Sequence, residues 1–179
     1  MVRQVRARAE LAPVRTLIEA HVRYEQSAAV VPEDWEGRLA DLIAVGRLTV
    51  FIASSDDTVL GYASMTREVS TWSGRTFAHL DCLFVDGENR GHGVGRLLFN
   101  AASAHARSVG ETELQWQTPA WNEGAIRFYS RTGAQSASKA RFTLPIEPTA
   151  EHYPDGRWSR WPIGERKPTS LAATTTASG

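Results

Sequence analysis

The chain has 179 residues, with Lys plus Arg and Asp plus Glu at 20 each and a formal net charge of zero. That length allows one domain that buries roughly two thirds of its unfolded surface, and the charge balance, with no basic stripe interleaved with aromatics, argues against a nucleic-acid partner. A single cysteine, Cys82, excludes an internal disulfide framework, no apolar run nears the roughly 20 residues that span a bilayer, and MVRQVRARAE lacks the apolar stretch of a signal peptide; the expected setting is cytoplasmic, without a membrane partner, and the expected partner is small.

Val2 and Val5, among arginines, predict a short first strand. Leu11, Val14, Leu17, Ile18 and Val22 then recur at the three- and four-residue steps of an amphipathic helix. Pro32 suits the first turn of a second helix that carries Trp35, Leu39, Leu42 and Ile43 and ends near Gly46. The period changes to two at Leu48 to Ser54 and Val59 to Val69, two antiparallel strands joined by a Ser-Asp-Asp turn, and Phe77 to Val85 is a third. After a glycine-rich turn, Leu97, Leu98, Ala101, Ala104 and Val109 line a helix that stops at Gly110, and Thr112 to Thr118 reads as a strand. Strand, helix, strand implies a parallel, right-handed crossover. Asn122 is placed to cap a helix running to Arg131, Gly133 to stop it, and Arg141 to Ile146 reads as a closing strand.

The expected architecture is an α/β three-layer domain over residues 1–146. From Glu147 the texture turns to prolines and then LAATTTASG, so residues 147–179 read as an extension, disordered from about 168. Within it Tyr153, Trp158 and Trp161 either pack loosely or dock on the domain or a neighbouring subunit.

Arg90 to Gly95, RGHGVG, stands between a strand and a helix. Gly91, Gly93 and Gly95 lack a Cβ, so the backbone can curl and bring several N–H groups, with the positive end of the following helix, up to an anion. A dinucleotide-binding GxGxxG from Gly91 would need glycine at Arg96, and a Walker loop would need Lys then Ser or Thr where Arg96 and Leu97 stand, so both spacings fail. A pyrophosphate cradle or a plain glycine turn remains.

Arg90, Gly93 and Gly95 match the signature of the GNAT family of N-acetyltransferases: Arg or Gln, two residues, Gly, one residue, Gly or Ala. Downstream, WNEGAIRFYSRTGA places Asn122, Ala125, Phe128, Tyr129, Gly133 and Ala134 where such proteins carry an Asn, a helix with a Phe-Tyr pair, and a Gly-Ala exit. The chain resembles this family over roughly residues 3 to 146. Within it, HLDCLFV and the RYE of Arg23, Tyr24 and Glu25 look most like the diamine acetyltransferases of the spermidine/spermine type.

The resemblance implies a mixed antiparallel and parallel sheet, splayed open between the strand before the glycine turn and the strand after its helix, with acetyl-CoA in the gap. Its pantetheine arm would pair with the backbone of Leu83 and Val85, on either side of Phe84. Arg90, Gly91, His92, Gly93, Val94 and Gly95 would surround the pyrophosphate, Arg90 adding a charge-assisted contact and His92 only its N–H. No metal is implied.

An alkyl ammonium of pKa about 10 costs roughly 4 kcal/mol to deprotonate at pH 7. Asp81, where the diamine enzymes carry a glutamate, is the candidate that accepts the proton through an ordered water or holds the cation; the plainer reading is an edge-strand carboxylate paired with an arginine. His79 shares its strand face and is the second candidate base. The Leu83 amide would meet charge developing on the thioester oxygen. Tyr129 would donate a proton to the departing thiolate, or else merely pack against the cofactor. Asn122 would cap its helix and contact the pantetheine. Cys82 is expected on the face opposite Asp81, a small buried hydrophobe, so transfer is direct.

Tyr24 and Glu25 would wall the acceptor site. Glu33, Asp34 and Glu36 either hold a second ammonium or form a solvated helix start. Trp72 and Trp121 line the site or a dimer surface. The expected function is acetyl-CoA-dependent N-acetylation of a small primary amine, polyamine-like or amino-acid-like. The alternatives are an aminoglycoside-type antibiotic, a protein amine, or a non-catalytic acyl-CoA-binding module. Homodimers are common in the family, and no sequence feature here demands one.

Overall fold

The computed structural model describes residues 1–56, 58–144 and 146. The chain divides into two units, Met1–Gln135 and Ser136–Gly179. The first runs β1 (Val2–Gln4), α1 (Ala12–Tyr24), α2 (Trp35–Ala44), β2 (Thr49–Ser55), β3 (Thr58–Ser70), β4 (Arg75–Val85), α3 (Val94–Ser108), β5 (Leu114–Trp116) and α4 (Glu123–Ser130). Its five strands lie in chain order, antiparallel from β1 to β4, with β5 parallel to β4 after the α3 crossover.

The two-residue alternation sends one side-chain set to each face of the sheet. Phe51, Ala53, Ala63, Met65, Ala78 and Leu80 meet α3, which buries Val94, Leu98, Ala102 and Ala106 at four-residue steps. Val50, Ile52, Tyr62 and Phe84 meet Leu11, Val14 and Leu17 around α1 and Trp35 of α2. Each fully buried side chain such as Ile52 or Leu98 contributes about 1.5–3 kcal/mol. This is the expected three-layer α/β domain.

Strand β4 breaks the alternation once. Ser64 and Met65 are consecutive on β3, yet they oppose Cys82 and Leu80, so Asp81 is an extra, unpaired residue. This β-bulge shifts the periodicity by one. Before it Ala78 and Leu80 face α3; after it Leu83 and Val85 do, while Cys82 and Phe84 turn to α1. The β4–β5 ladder pairs Ala78, His79 and Leu80 with Leu114, Gln115 and Trp116 and goes no further. The sheet opens at the bulge.

The structure corrects three boundaries. β5 is three residues, not the seven of Thr112 to Thr118, because beyond Trp116 it leaves β4 and has no ladder. Pro32 precedes α2 instead of lying in its first turn, its carbonyl accepting from the Trp35 N–H at 3.2 Å. The closing strand expected over Arg141 to Ile146 is absent at its described residues: Phe142, Leu144 and Ile146 alternate as in a strand, but without a partner ladder they stay irregular and exposed. The expectations for 147–179, including Tyr153, Trp158 and Trp161, lie outside the described residues. No helix among the described residues is long and apolar enough to cross a membrane.

Gly61 on β3 is a close-approach position. A Cβ there would stand 2.6 Å from the Phe84 carbonyl oxygen and 3.2 Å from Leu98 Cδ1. Gly61→Ala is therefore expected to destabilise the fold by about 1–3 kcal/mol, read as a lower urea midpoint; an unchanged midpoint would show that β4 yields freely.

Candidate active site

The edge that β5 leaves is chemically open. The Asp86 N–H donates to the Leu60 carbonyl at 2.9 Å, toward β3. Alternation then directs the N–H and C=O of Leu83 and Val85 the other way, into the splay. Arg90 Nε already donates to the Val85 carbonyl at 2.9 Å. The guanidinium lies 4.3 Å from the Tyr24 ring centroid and 5.3 Å from that of Phe84, a cation–π seat at the mouth of the cleft.

The glycine turn faces the same opening. Gly91 and Gly93 have φ of +82° and +84°, left-handed values that favour glycine, and nothing lies within 4 Å of where their Cβ atoms would be. Gly93 is the N-cap of α3, whose first N–H groups have no intrahelical partner. His92 is exposed, Val94 is buried in the core, and a Cβ on Gly95 would sit 3.7–3.9 Å from Val85, Leu83 and Phe128. This open, donor-rich turn fits a pyrophosphate whose attached arm runs along Leu83 to Val85. Acetyl-CoA, with that arm ending in an acetyl thioester, matches both features.

On the α1 face a polar cluster surrounds the bulge. Ser64 Oγ donates to Asp81 Oδ2 at 3.4 Å, and the Cys82 thiol donates to the same oxygen at 3.5 Å. Cys82 thus lies on the same side as Asp81, not opposite it, because the bulge adds a residue between the two faces. Burial, then the neighbouring Asp81 carboxylate, pushes the Cys82 thiol up to about 12. His79 sits where the sheet is still closed, opposite Thr66 and Gln115, whereas Asp81 is exposed at the opening.

Tyr129 packs its ring against Trp116, Phe128 and Phe99, with centroids 5.0, 5.1 and 6.1 Å away. Its side chain makes no hydrogen bond among the described residues. Burial first, then Cys82 and Glu25, raises its ionisation to about 12, so the phenol keeps its proton at physiological pH. Asn122 caps α4, its Oδ1 accepting from the Ala125 N–H at 3.1 Å and from the Tyr24 hydroxyl at 3.3 Å. That shared acceptor ties the end of α1 to the start of α4.

Trp121 rests on Tyr24 at 5.7 Å and borders the mouth, while Trp72 is fully exposed at the β3–β4 turn. Asp34 pairs with Arg38 at 2.7 Å and Glu36 with Arg15 at 3.3 Å, and Arg15 also donates to the Glu33 carbonyl. The carboxylates of Asp34 and Glu36 thus each meet an arginine at the start of α2. Two functional candidates escaped the sequence: His21, stacked on Phe84 at 4.7 Å, and Tyr62, whose hydroxyl lies 2.7 Å from His21 Nδ1. The His21–Glu25 spacing of one helical turn was the available signal. Burial holds the His21 imidazole below its usual value, against the opposing pull of Glu25 and Asp81.

The sequence profile of the acetyltransferase (GNAT) family matches residues 14–134, and the chain belongs to that family. Among curated relatives, the thialysine N-epsilon-acetyltransferase of Bos taurus is 32% identical over 82 residues, 46% of this chain and 48% of that protein. The mycothiol acetyltransferase of Propionibacterium freudenreichii is 29% identical over 141 residues, 78% of this chain and 44% of that protein. The chain thus spans about half the length of these relatives. An aminoglycoside acetyltransferase from an uncultured soil metagenomic sample, solved with sisomicin, shares the fold with a TM-score of 0.70 at 19% identity, covering 82% of this chain and 96% of that one.

The raised Cys82 ionisation predicts a slow thiol. At pH 8 iodoacetamide should label native protein at least about tenfold more slowly than urea-unfolded protein, followed by intact mass; equal rates would contradict the burial of that sulfur.

Proposed function

We propose that this chain is an acetyl-CoA-dependent N-acetyltransferase that moves an acetyl group directly to a primary amine of a small cationic molecule, polyamine-like or amino-acid-like. The observation that carries this reading is the convergence of three features on one opening. These are the outward backbone of Leu83 and Val85, the left-handed Gly91 and Gly93 before α3, and the acids Asp81 and Glu25 beside the bulge.

Acetyl-CoA, when bound, supplies an activated acetyl thioester. Leu83, Phe84 and Val85 offer it a strand edge, and the backbone of Gly91, His92, Gly93, Val94 and Gly95 cradles its phosphates. Arg90, now on the Val85 carbonyl, swings to the phosphates or stays as the wall of the pantetheine channel; Asn122 borders the same channel. Asp81 holds the acceptor ammonium and passes its proton to water, aided by the Ser64 and Cys82 donors that keep its carboxylate turned to the mouth. Tyr24 and Glu25 close the acceptor side. The Leu83 N–H is aimed at the charge that develops on the thioester oxygen. Tyr129, still protonated at neutral pH, donates to the departing thiolate. The half-buried, protonated Cys82 takes no acetyl group, which supports direct transfer.

The lone cysteine supports a reducing, cytoplasmic setting, and the reading allows a homodimer. The acetyltransferase domain is proposed to end near residue 146.

Release of CoA thiol from acetyl-CoA across spermidine, lysine, glucosamine and kanamycin tests the reading. Turnover on one amine class is expected. Tyr129→Phe should lower kcat by about 10²-fold or more with little change in KM. Gly93→Val should abolish acetyl-CoA binding, since a β-branched residue resists φ of +84° and its side chain fills the open cradle. Acetyl-CoA binding without turnover on any amine would instead favour a binding module, and turnover on kanamycin alone an aminoglycoside enzyme.

A further inference from the structure

Two side chains that the reaction above does not use, Tyr62 and His21, form a chain on the α1 face that ends on Glu25. Tyr62 of β3 is buried, with its hydroxyl 2.7 Å from His21 Nδ1. His21 Nε2 stands 3.3 Å from Glu25 Oε1, one turn further along α1. The imidazole is clamped flat on Phe84, its plane 23° from that ring. Both ring nitrogens are therefore engaged, and one face of the ring is covered by Phe84.

The direction of the hydrogen bonds follows from the inventory of donors. Glu25, as a carboxylate, only accepts, so the His21 Nε2–H is turned to it; Nδ1 of the neutral ring then accepts from the Tyr62 O–H, which burial keeps protonated and which also lies against Cys82. Glu25 in turn occupies the C-cap of α1, where the helix dipole disfavours a carboxylate. Only a local donor keeps such an anion turned in a fixed direction, and a leucine at position 21 would fill the same apolar slot without that donor.

We infer that Tyr62 and His21 form a buried relay that positions the Glu25 carboxylate as an anionic seat for the acceptor's ammonium, with the neutral imidazole required for full acceptor affinity. The inference rests on the amine-acetyltransferase reading. His21 and Tyr62 are positioning residues here; Glu25 makes the contact.

The relay carries a pH dependence with a defined sign. His21 faces Glu25 from its own helix, Tyr62 from β3, Asp81 and Cys82 from β4, and Arg90 from the turn. At pH 7 the neutral ring adds no charge beside Glu25 and Asp81. As pH falls below the ordinary histidine value of 6.5, the ring gains a proton and its positive charge, set between the two carboxylates, cancels part of their field. Amine KM should therefore rise on the acid side, while acetyl-CoA KM stays level.

The test is steady-state kinetics from pH 5 to 8 on wild type, His21→Leu and His21→Gln. The acceptor is whichever of spermidine, lysine, glucosamine or kanamycin wild type turns over. Thermal melts verify that each variant folds. His21→Leu should raise amine KM at pH 7.5 about tenfold, the size of one lost charge-assisted contact, leave acetyl-CoA KM unchanged, and remove the acid-side rise. His21→Gln, whose amide can still donate to Glu25, should restore most of the affinity yet stay independent of pH. An unchanged amine KM in His21→Leu, equal rises in both KM values, or an acid-side rise that persists in both variants would overturn the relay while leaving the acetyltransferase intact. Wild type inert toward every amine would overturn the functional reading itself, and the relay with it.

Discussion

Between Leu80 and Cys82, β4 carries one residue more than β3 opposite it, and everything that follows on β4 is displaced by that single insertion. Because the side-chain period of a strand is two, a one-residue shift exchanges the faces of all later residues. Were β4 to run through Asp81 with unbroken alternation and no bulge, the Phe84 ring would turn toward α3, His21 would lose the ring it stacks on, and Leu83 and Val85 would point their backbone groups into β3. With it, the apolar Leu83 and Val85 cover the start of α3, and their N–H and C=O groups face the gap that β5 vacates. The bulge and the end of the β4–β5 ladder occur at the same place, Leu80 to Asp81.

An open strand edge is a hazard for a sheet, since it invites pairing with other chains. Here it is short and enclosed. Arg90 covers the Val85 carbonyl, Phe99 of α3, Trp116 at the end of β5 and Phe128 and Tyr129 of α4 pack into one aromatic group, and the shared acceptor Asn122 Oδ1 draws α1 and α4 together. These contacts, packed and partly shielded, hold the mouth more firmly than exposed ion pairs such as Asp34–Arg38 or Glu123–Arg127, which contribute little in water. The buried Glu111 does similar service at the far end. It accepts from Arg67 at 2.5 Å and Thr76 at 2.9 Å and so anchors the β3–β4 hairpin to the exit of α3.

Much of this was legible locally. The amphipathic steps of α1 and α3, the period-two strands and the RGHGVG turn are short-range patterns, and each element formed close to where its pattern lay. Local pattern and structure part where an outcome depends on a partner. Phe142, Leu144 and Ile146 alternate correctly but have no ladder; Thr112 and Thr118 flank a strand that lost its neighbour; Cys82 was assigned a face by a period that Asp81 interrupts. Glu36 could hold either a ligand cation or an arginine, and only the fold brought Arg15, 21 residues away, to it. His21 looked like one more helical residue because Tyr62 and Phe84, its ring partners, come from two distant strands.

The sequence by itself determined where left-handed backbone is tolerated before a helix, because that is a property of glycine and its spacing, and the resemblance carried by Arg90 to Gly95 and by Asn122 to Ala134 supplied the class of molecule and of ligand. Tertiary structure alone decided which groups meet. The side on which Asp81 and Cys82 emerge depends on a bulge, which exists only as a mismatch between two strands. The charge state of His21 depends on burial and, besides its own neighbour Glu25, on Asp81 and Arg90, and the protonation of Tyr129 on burial, Cys82 and Glu25, so no one window of sequence contains all of them.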